Sequence, residues 1–230
     1  MNETWFIADT HFSHANILKH CKRQWLRDGD LDARGQWVNE AVKNTRCDEM
    51  NEGIAKSWND TVGNKDTVYI VGDFAWTDHR KWINELNGKK IFIIGSHDKM
   101  PQDALDLFKA DVPVDGGEDS IKQAEIIKTL VQFREVHWLL NRQVCGQWMT
   151  LCHWPMRTWQ GKPHGSICLT GHCHHRLRET RPGQIGGGLI LDVGWDGWHR
   201  PISFYEVMSE MKKKKEMMGD GFYEKEEIIN

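Results

Sequence analysis

The chain has no run of about 18 apolar residues, the length that a membrane-spanning helix needs. It lacks a basic N-terminal region: Met1-Asn2-Glu3-Thr4 leads straight into an apolar run. A cleaved export signal is therefore not expected, and a cytoplasmic location is. None of the six cysteines forms a C-x-x-C pair. Zinc-finger spacing of cysteines and histidines is also missing, which disfavours a structural zinc protein. Reduced thiols are expected rather than a disulfide framework. Charge of neither sign dominates: 30 basic against 33 acidic residues give a net charge of −3. That implies no general attraction to nucleic acid, local basic patches aside. There is no internal repeat, and the number of subunits is not readable. A length of 230 residues suffices for one large domain or two small ones with a proper core.

What the chain has is five short islands of Asp and His, each closing an apolar run. They are Asp9-Thr10-His11, Gly72-Asp73, Gly95-Ser96-His97-Asp98, Cys152-His153-Trp154 and Gly171-His172-Cys173-His174. The runs before the first three, Trp5–Ala8, Val68–Val71 and Ile91–Ile94, read as buried strands. Carboxylates and imidazoles at several strand ends converge at one sheet edge, where open α/β folds bind ligands. Asp oxygens mixed with His nitrogens suit borderline divalent metals in hydrolytic work. Asp9 and His11 are spaced i, i+2, as are His172 and His174, so in extended backbone each pair faces one way. Cys152 and Cys173 adjoin these histidines but should turn to the opposite face. Twelve tryptophans, several beside the islands, are either core and loop packing or walls on which a base stacks.

In order and content the islands resemble the signature of the calcineurin-like metallophosphoesterases: D-x-H, G-D, G-N-H-D, H, G-H-x-H. The likeness spans Ile7 to about Val207 and looks closest to the small single-domain enzymes of bacteria and phages. Their D-x-H-F-x-H-x-N opening is similar to Asp9–Asn16, and their H-W/Y-P-M turn to His153–Met156. One position departs, since Ser96 stands where the family has Asn.

The resemblance implies an α/β fold of two packed β-sheets flanked by helices, a four-layer αββα sandwich. It implies two divalent ions, manganese first, with iron, zinc, nickel or cobalt as alternatives. Asp73 would bridge them; Asp9, His11 and His174 would hold one, and His153, His172 and Ser96 the other. A bridging hydroxide would be the nucleophile and His97 the general acid, its tautomer held by Asp98. His14, Asn16 and Arg157 are candidate contacts to the substrate phosphate. The expected function is a phosphodiesterase acting on nucleotide or cyclic-nucleotide phosphoesters. The alternative is a metal-bound protein-interaction scaffold whose turnover is weak or lost through Ser96.

The order of elements reads as α/β in the first half. Helices are expected from Ile17, from Asp48 to about Asn59, from a Thr77–Asp78 cap to Leu86, over Asp103–Lys109 and over Glu118–Val131. Residues 22–47 read as an irregular excursion. In the second half, Val136–Leu140, Trp148–Leu151, Ser166–Thr170 and Leu189–Val193 read as strands of a second, more antiparallel sheet. The packed domain is expected over 1–208 and a charged tail over 209–230.

Overall fold

The computed structural model describes residues 2–77, 79–98, 133–177 and 187–218. It is a mixed α/β structure with two sheets. Strands β1 (Thr4–Ile7), β2 (Thr67–Val71), β3 (Lys89–Ile93) and β4 (Glu135–His137) run parallel, and β9 (Ile202–Ser203) closes the sheet antiparallel to β1, giving the order β4-β3-β2-β1-β9. The second sheet holds β5 (Leu139–Val144), β6 (Gln147–Cys152), β7 (Ile167–Thr170) and β8 (Ile190–Asp192) in sequence order.

The apolar runs of β1–β3 are continuous because both faces of the first sheet are covered. Trp5, Ile7, Val68, Ile70 and Phe92 pack with Leu18 of helix α1 (Ala15–Cys21) and with Met50, Ile54 and Trp58 of helix α2 (Glu40–Thr61). Their neighbours Phe6, Tyr69, Val71, Ile91 and Ile93 point the other way, into a core shared with Leu140, Leu151, Leu169 and Leu191 of the second sheet. The two sheets therefore meet through a common apolar layer. Helix α3 (His79–Glu85) adds Trp82 and Ile83 to the first core, and the short helix α4 (Trp195–Trp198) adds Trp195.

Four expectations need correction. Helix α2 starts at Glu40, not Asp48: the side chain of Asn39 accepts from Val42 N and caps it. Its first two turns bury no side chain, so apolar periodicity was silent there. The second sheet is not mainly antiparallel, since only β5–β6 is, while β6–β7 and β7–β8 are parallel. The segment Val136–Leu140 is not one strand: it changes sheets at Trp138, so β4 joins the first sheet and β5 the second. Strands β5 and β6 join through Cys145–Gly146, both at positive φ (49° and 84°), as tight hairpins require.

The fourth correction concerns the expected tail. Helix α5 (Phe204–Met218) carries Val207 and Met211 into the inter-sheet core, and the buried Lys214 ammonium donates to the Ile190 carbonyl. Packing thus continues past residue 208. The expected helices at Asp103–Lys109 and Glu118–Val131, residue Asp78 and the tail beyond 218 lie outside the described residues. No helix among the described residues is long and apolar enough to cross a membrane.

Candidate metal centre

Five of the strands end at the same place. Asp9 and His11 follow β1, Asp73 follows β2 and Ser96–Asp98 follow β3, while His153 follows β6, and His172 and His174 follow β7. The first sheet thus faces the second across the cluster. Two groups form, with ligand atoms within 4.8 Å of one another: Asp9, His11 and His174, and Asp73, His153 and His172. Asp73 lies between them, its Oδ2 3.6 Å from His11 Nε2 and 3.2 Å from His153 Nε2.

Two observations show that these residues suit cations. His11 Nε2 and His153 Nε2 are buried and make no hydrogen bond. Leaving such polar atoms unpaired costs about 1–3 kcal/mol each, so they call for a partner. His153 Nδ1 lies 3.0 Å from the Val71 carbonyl, which leaves Nε2 with the lone pair aimed at the cluster. The donor set, four imidazoles and two carboxylates, is that of borderline divalent metals.

The backbone is bent to make this possible. Asp9, His11, Asp73, His172 and His174 all have left-handed φ, between 48° and 69°. Such residues cost about 1–3 kcal/mol each and gather at functional sites. The i, i+2 pairs therefore converge by left-handed turns, not by alternation along a strand, which corrects the expected reason. Hydrogen bonds hold the turns in place: Asp9 N donates to Gly72 O (3.0 Å) and His11 N to Asp73 O (3.0 Å). Glycine is needed where the loops cross. A Cβ at Gly95 would sit 2.3 Å from Asp73 N, and one at Gly72 would sit 2.4 Å from the His153 ring.

Electrostatics follow from burial and neighbours. Burial pushes Asp9 up to about 7, against the pull of His153 and His174. Burial also tends to raise Asp73, but His153 and His11 beside it overcome this and hold it well below the usual carboxylate range. Burial drives His11 well below the ordinary histidine value, leaving it neutral and fit to ligate. Burial would lower His174 too, yet the Asp196 carboxylate 2.7 Å from its Nδ1 carries it up to about 10.

The remaining candidates fall in different places. Ser96 Oγ donates to Asp73 Oδ2 at 3.1 Å, beside the second group. His97 is half exposed; its amide donates to Asp73 Oδ1 (2.8 Å) and its ring centroid is 5.3 Å from that of His11. Asp98 does not hold the His97 ring. Its carboxylate accepts from the amides of Asp73 (2.7 Å), Phe74 (2.9 Å) and Gly95 (2.7 Å), so it locks the β2 and β3 loops together. His14 joins the cluster, its ring 5.3 Å from His11 and stacked on Trp76. Asn16 is turned elsewhere, accepting from the Trp37 indole (3.0 Å). Arg157 stands on an exposed turn whose carbonyl accepts from Lys162 Nζ (2.7 Å).

Three residues escaped the sequence reading. Arg23 donates to both oxygens of Asp196 (2.8 and 3.0 Å) and to the carbonyls of Asp9 (2.6 Å) and Thr10 (2.8 Å), so Asp196 is fixed before it meets His174. Arg23 sits in a polar stretch, and Asp196 stands alone between Trp195 and Trp198, outside any Asp–His island, so neither carries a signal. Cys21 forms a third group with His174 and Asp196, but the guanidinium already occupies that carboxylate. Cys152 and Cys173 belong to none of the groups among the described residues.

No family model matches the chain. An uncharacterised protein of Methanocaldococcus jannaschii is 35% identical over 104 residues, 43% of this chain and 48% of that protein, so the match spans about half of the relative's length. The gene 66 proteins of Mycobacterium phages D29 and L5 are 26% and 25% identical, covering 90% of this chain and 94% and 93% of theirs. Among solved structures, a protein of unknown function from Aquifex aeolicus superposes with a TM-score of 0.51 at 18% identity, over 91% of this chain and 100% of that one. At that identity the likeness concerns the fold alone.

Proposed function

We propose that the chain is a dinuclear metal-dependent phosphohydrolase, a phosphodiesterase acting on nucleotide or cyclic-nucleotide phosphoesters. The observation that carries the reading is the Asp73 carboxylate set between two buried histidine nitrogens without hydrogen-bond partners. Asp9, His11 and His174 would hold one ion and His153, His172 and Ser96 the other, with Asp73 shared. Such a pair, manganese in the first instance, supplies charge to neutralise phosphoryl oxygens and lowers the pKa of water. The four-layer sandwich of the metallophosphoesterases belongs to the same proposal.

The chain's own residues have distinct tasks in this scheme. His97, exposed beside Asp73, donates a proton to the leaving oxygen as the ester bond breaks. Asp98 braces the loops that set Asp73 and His97 at their separation. Asp196, fixed by Arg23, holds the His174 ring so that its other nitrogen faces Asp9 and His11. The test is elemental analysis combined with hydrolysis of bis(4-nitrophenyl) phosphate in added Mn²⁺. Two ions per chain and metal-dependent turnover are expected. At most one ion at saturation, or no turnover, would overturn the reading.

A further inference from the structure

Of the twelve tryptophans, only Trp76, Trp148 and Trp154 are exposed, and two of these three stand at the cluster. Trp76 is 36% exposed and Trp154 37%, an unusual placement for side chains whose burial is so favourable. Each belongs to a different ligand group. Trp76 stacks on His14 (centroids 4.4 Å, 17°) and lies 5.6 Å from His97, next to the His11 side. Trp154 lies 5.2 Å from His153 and 6.5 Å from His172, on the other side of Asp73.

We infer, resting on the phosphodiesterase reading, that these indoles are two ring-binding subsites, one for each ester arm. The substrate is then a phosphodiester with a planar ring on both sides of phosphorus, as in a linkage between two nucleosides. A phosphomonoester or an alkyl diester would leave one or both indoles uncovered. His97 decides which arm is which. The leaving group sits by the proton donor, so its ring stacks on Trp76 and the ring of the retained arm stacks on Trp154. Stacking on an aromatic side chain tolerates any base, because every base has a π-face.

The experiment compares bis(4-nitrophenyl) phosphate, with two rings, and 4-nitrophenyl methyl phosphate, with a ring only on the leaving arm. In the Mn²⁺-treated wild type, KM for the two-ring ester should be lower by about five- to hundredfold, the worth of one stacked ring. Trp154→Ala should collapse that ratio towards one and Trp154→Tyr should restore it, whereas Trp76→Ala should raise both KM values together. A ratio that survives in Trp154→Ala overturns the inference. A dinucleoside monophosphate and a longer oligonucleotide then separate a small diester from an interior linkage. If the wild type hydrolyses none of these, the phosphodiesterase reading fails by itself. Calorimetric titration of the dinucleoside monophosphate still reads the subsites: weaker binding in both alanine variants supports them, and equal binding refutes them.

Discussion

Ser96 donates its hydroxyl to the carboxylate that the two ligand groups share. An Asn there would offer an amide oxygen, longer in reach and better as a neutral ligand. Ser96→Asn should therefore raise affinity at the His153–His172 site and lower the Mn²⁺ concentration giving half-maximal activity. One supporting contact at a metal site is worth about 10–100-fold. A metal titration checks this; reduced activity at saturating Mn²⁺ without tighter binding would mean that Asn only crowds Asp73. For His97→Ala, turnover should fall by about 10²–10⁴-fold while metal content stays intact. The loss should be smaller for nitrophenolate leaving groups, which need little protonation. Equal losses for good and poor leaving groups would assign the ring another task. Asp98 shows why residue roles were harder to read than residue positions. Its place after His97 suggested a His–Asp pair, but its partners are backbone amides, which no side-chain pattern reveals.

At the scale of elements, legibility followed burial. Strands β1–β3 stood out because both faces are covered, and so did the polar residue ending each run. Asp192 closes the β8 run in the same way, buried and accepting from Gly194 N (2.8 Å) and His175 N (2.9 Å), but with no histidine beside it in sequence it does not stand out from the strand. The first turns of α2 bury nothing and left no period to find. Helix α5 has a start that is legible in the sequence: Ser203-Phe204-Tyr205-Glu206 is a capping box, with Ser203 N donating to Glu206 Oε2 (2.8 Å) and Glu206 N to Ser203 Oγ (3.2 Å). Arg200 pairs with the same carboxylate and, against burial, holds Glu206 down at about 2 from 4.5. A carboxyl depressed on folding stabilises above its unfolded pKa and loses that contribution as pH falls through the folded one. Glu206→Gln should thus cost about 1 kcal/mol at pH 7. The deficit should fade between the 4.5 and 2 limits. Urea titrations of both proteins at pH 7 and pH 3 measure it; a deficit independent of pH would point to lost packing instead.

For the whole molecule, the arrangement of ligands matters more than their number. Each group mixes the two sheets: Asp9 and His11 with His174, and Asp73 with His153 and His172. Opposite each other at the strand ends, they close the edge of the inter-sheet layer that Phe6, Val71, Leu151 and Leu169 fill. A cation in either group would tie one sheet to the other as well as serve chemistry. It would also offset the cost of five ligands held in left-handed backbone. Binding only the folded state stabilises by about 2.7 kcal/mol at a hundred times Kd. A domain of this size gains about 2–4 °C per kcal/mol, so Tm should rise by about 5–10 °C on adding Mn²⁺ and fall back with a chelator. His11→Ala, on the first sheet, and His153→Ala, on the second, should each remove a large part of that rise. Thermal melts of the three proteins with and without Mn²⁺ test it. A rise that survives both substitutions would place the bound metal outside the two groups, and no rise at all would leave the sheets held by their apolar layer alone.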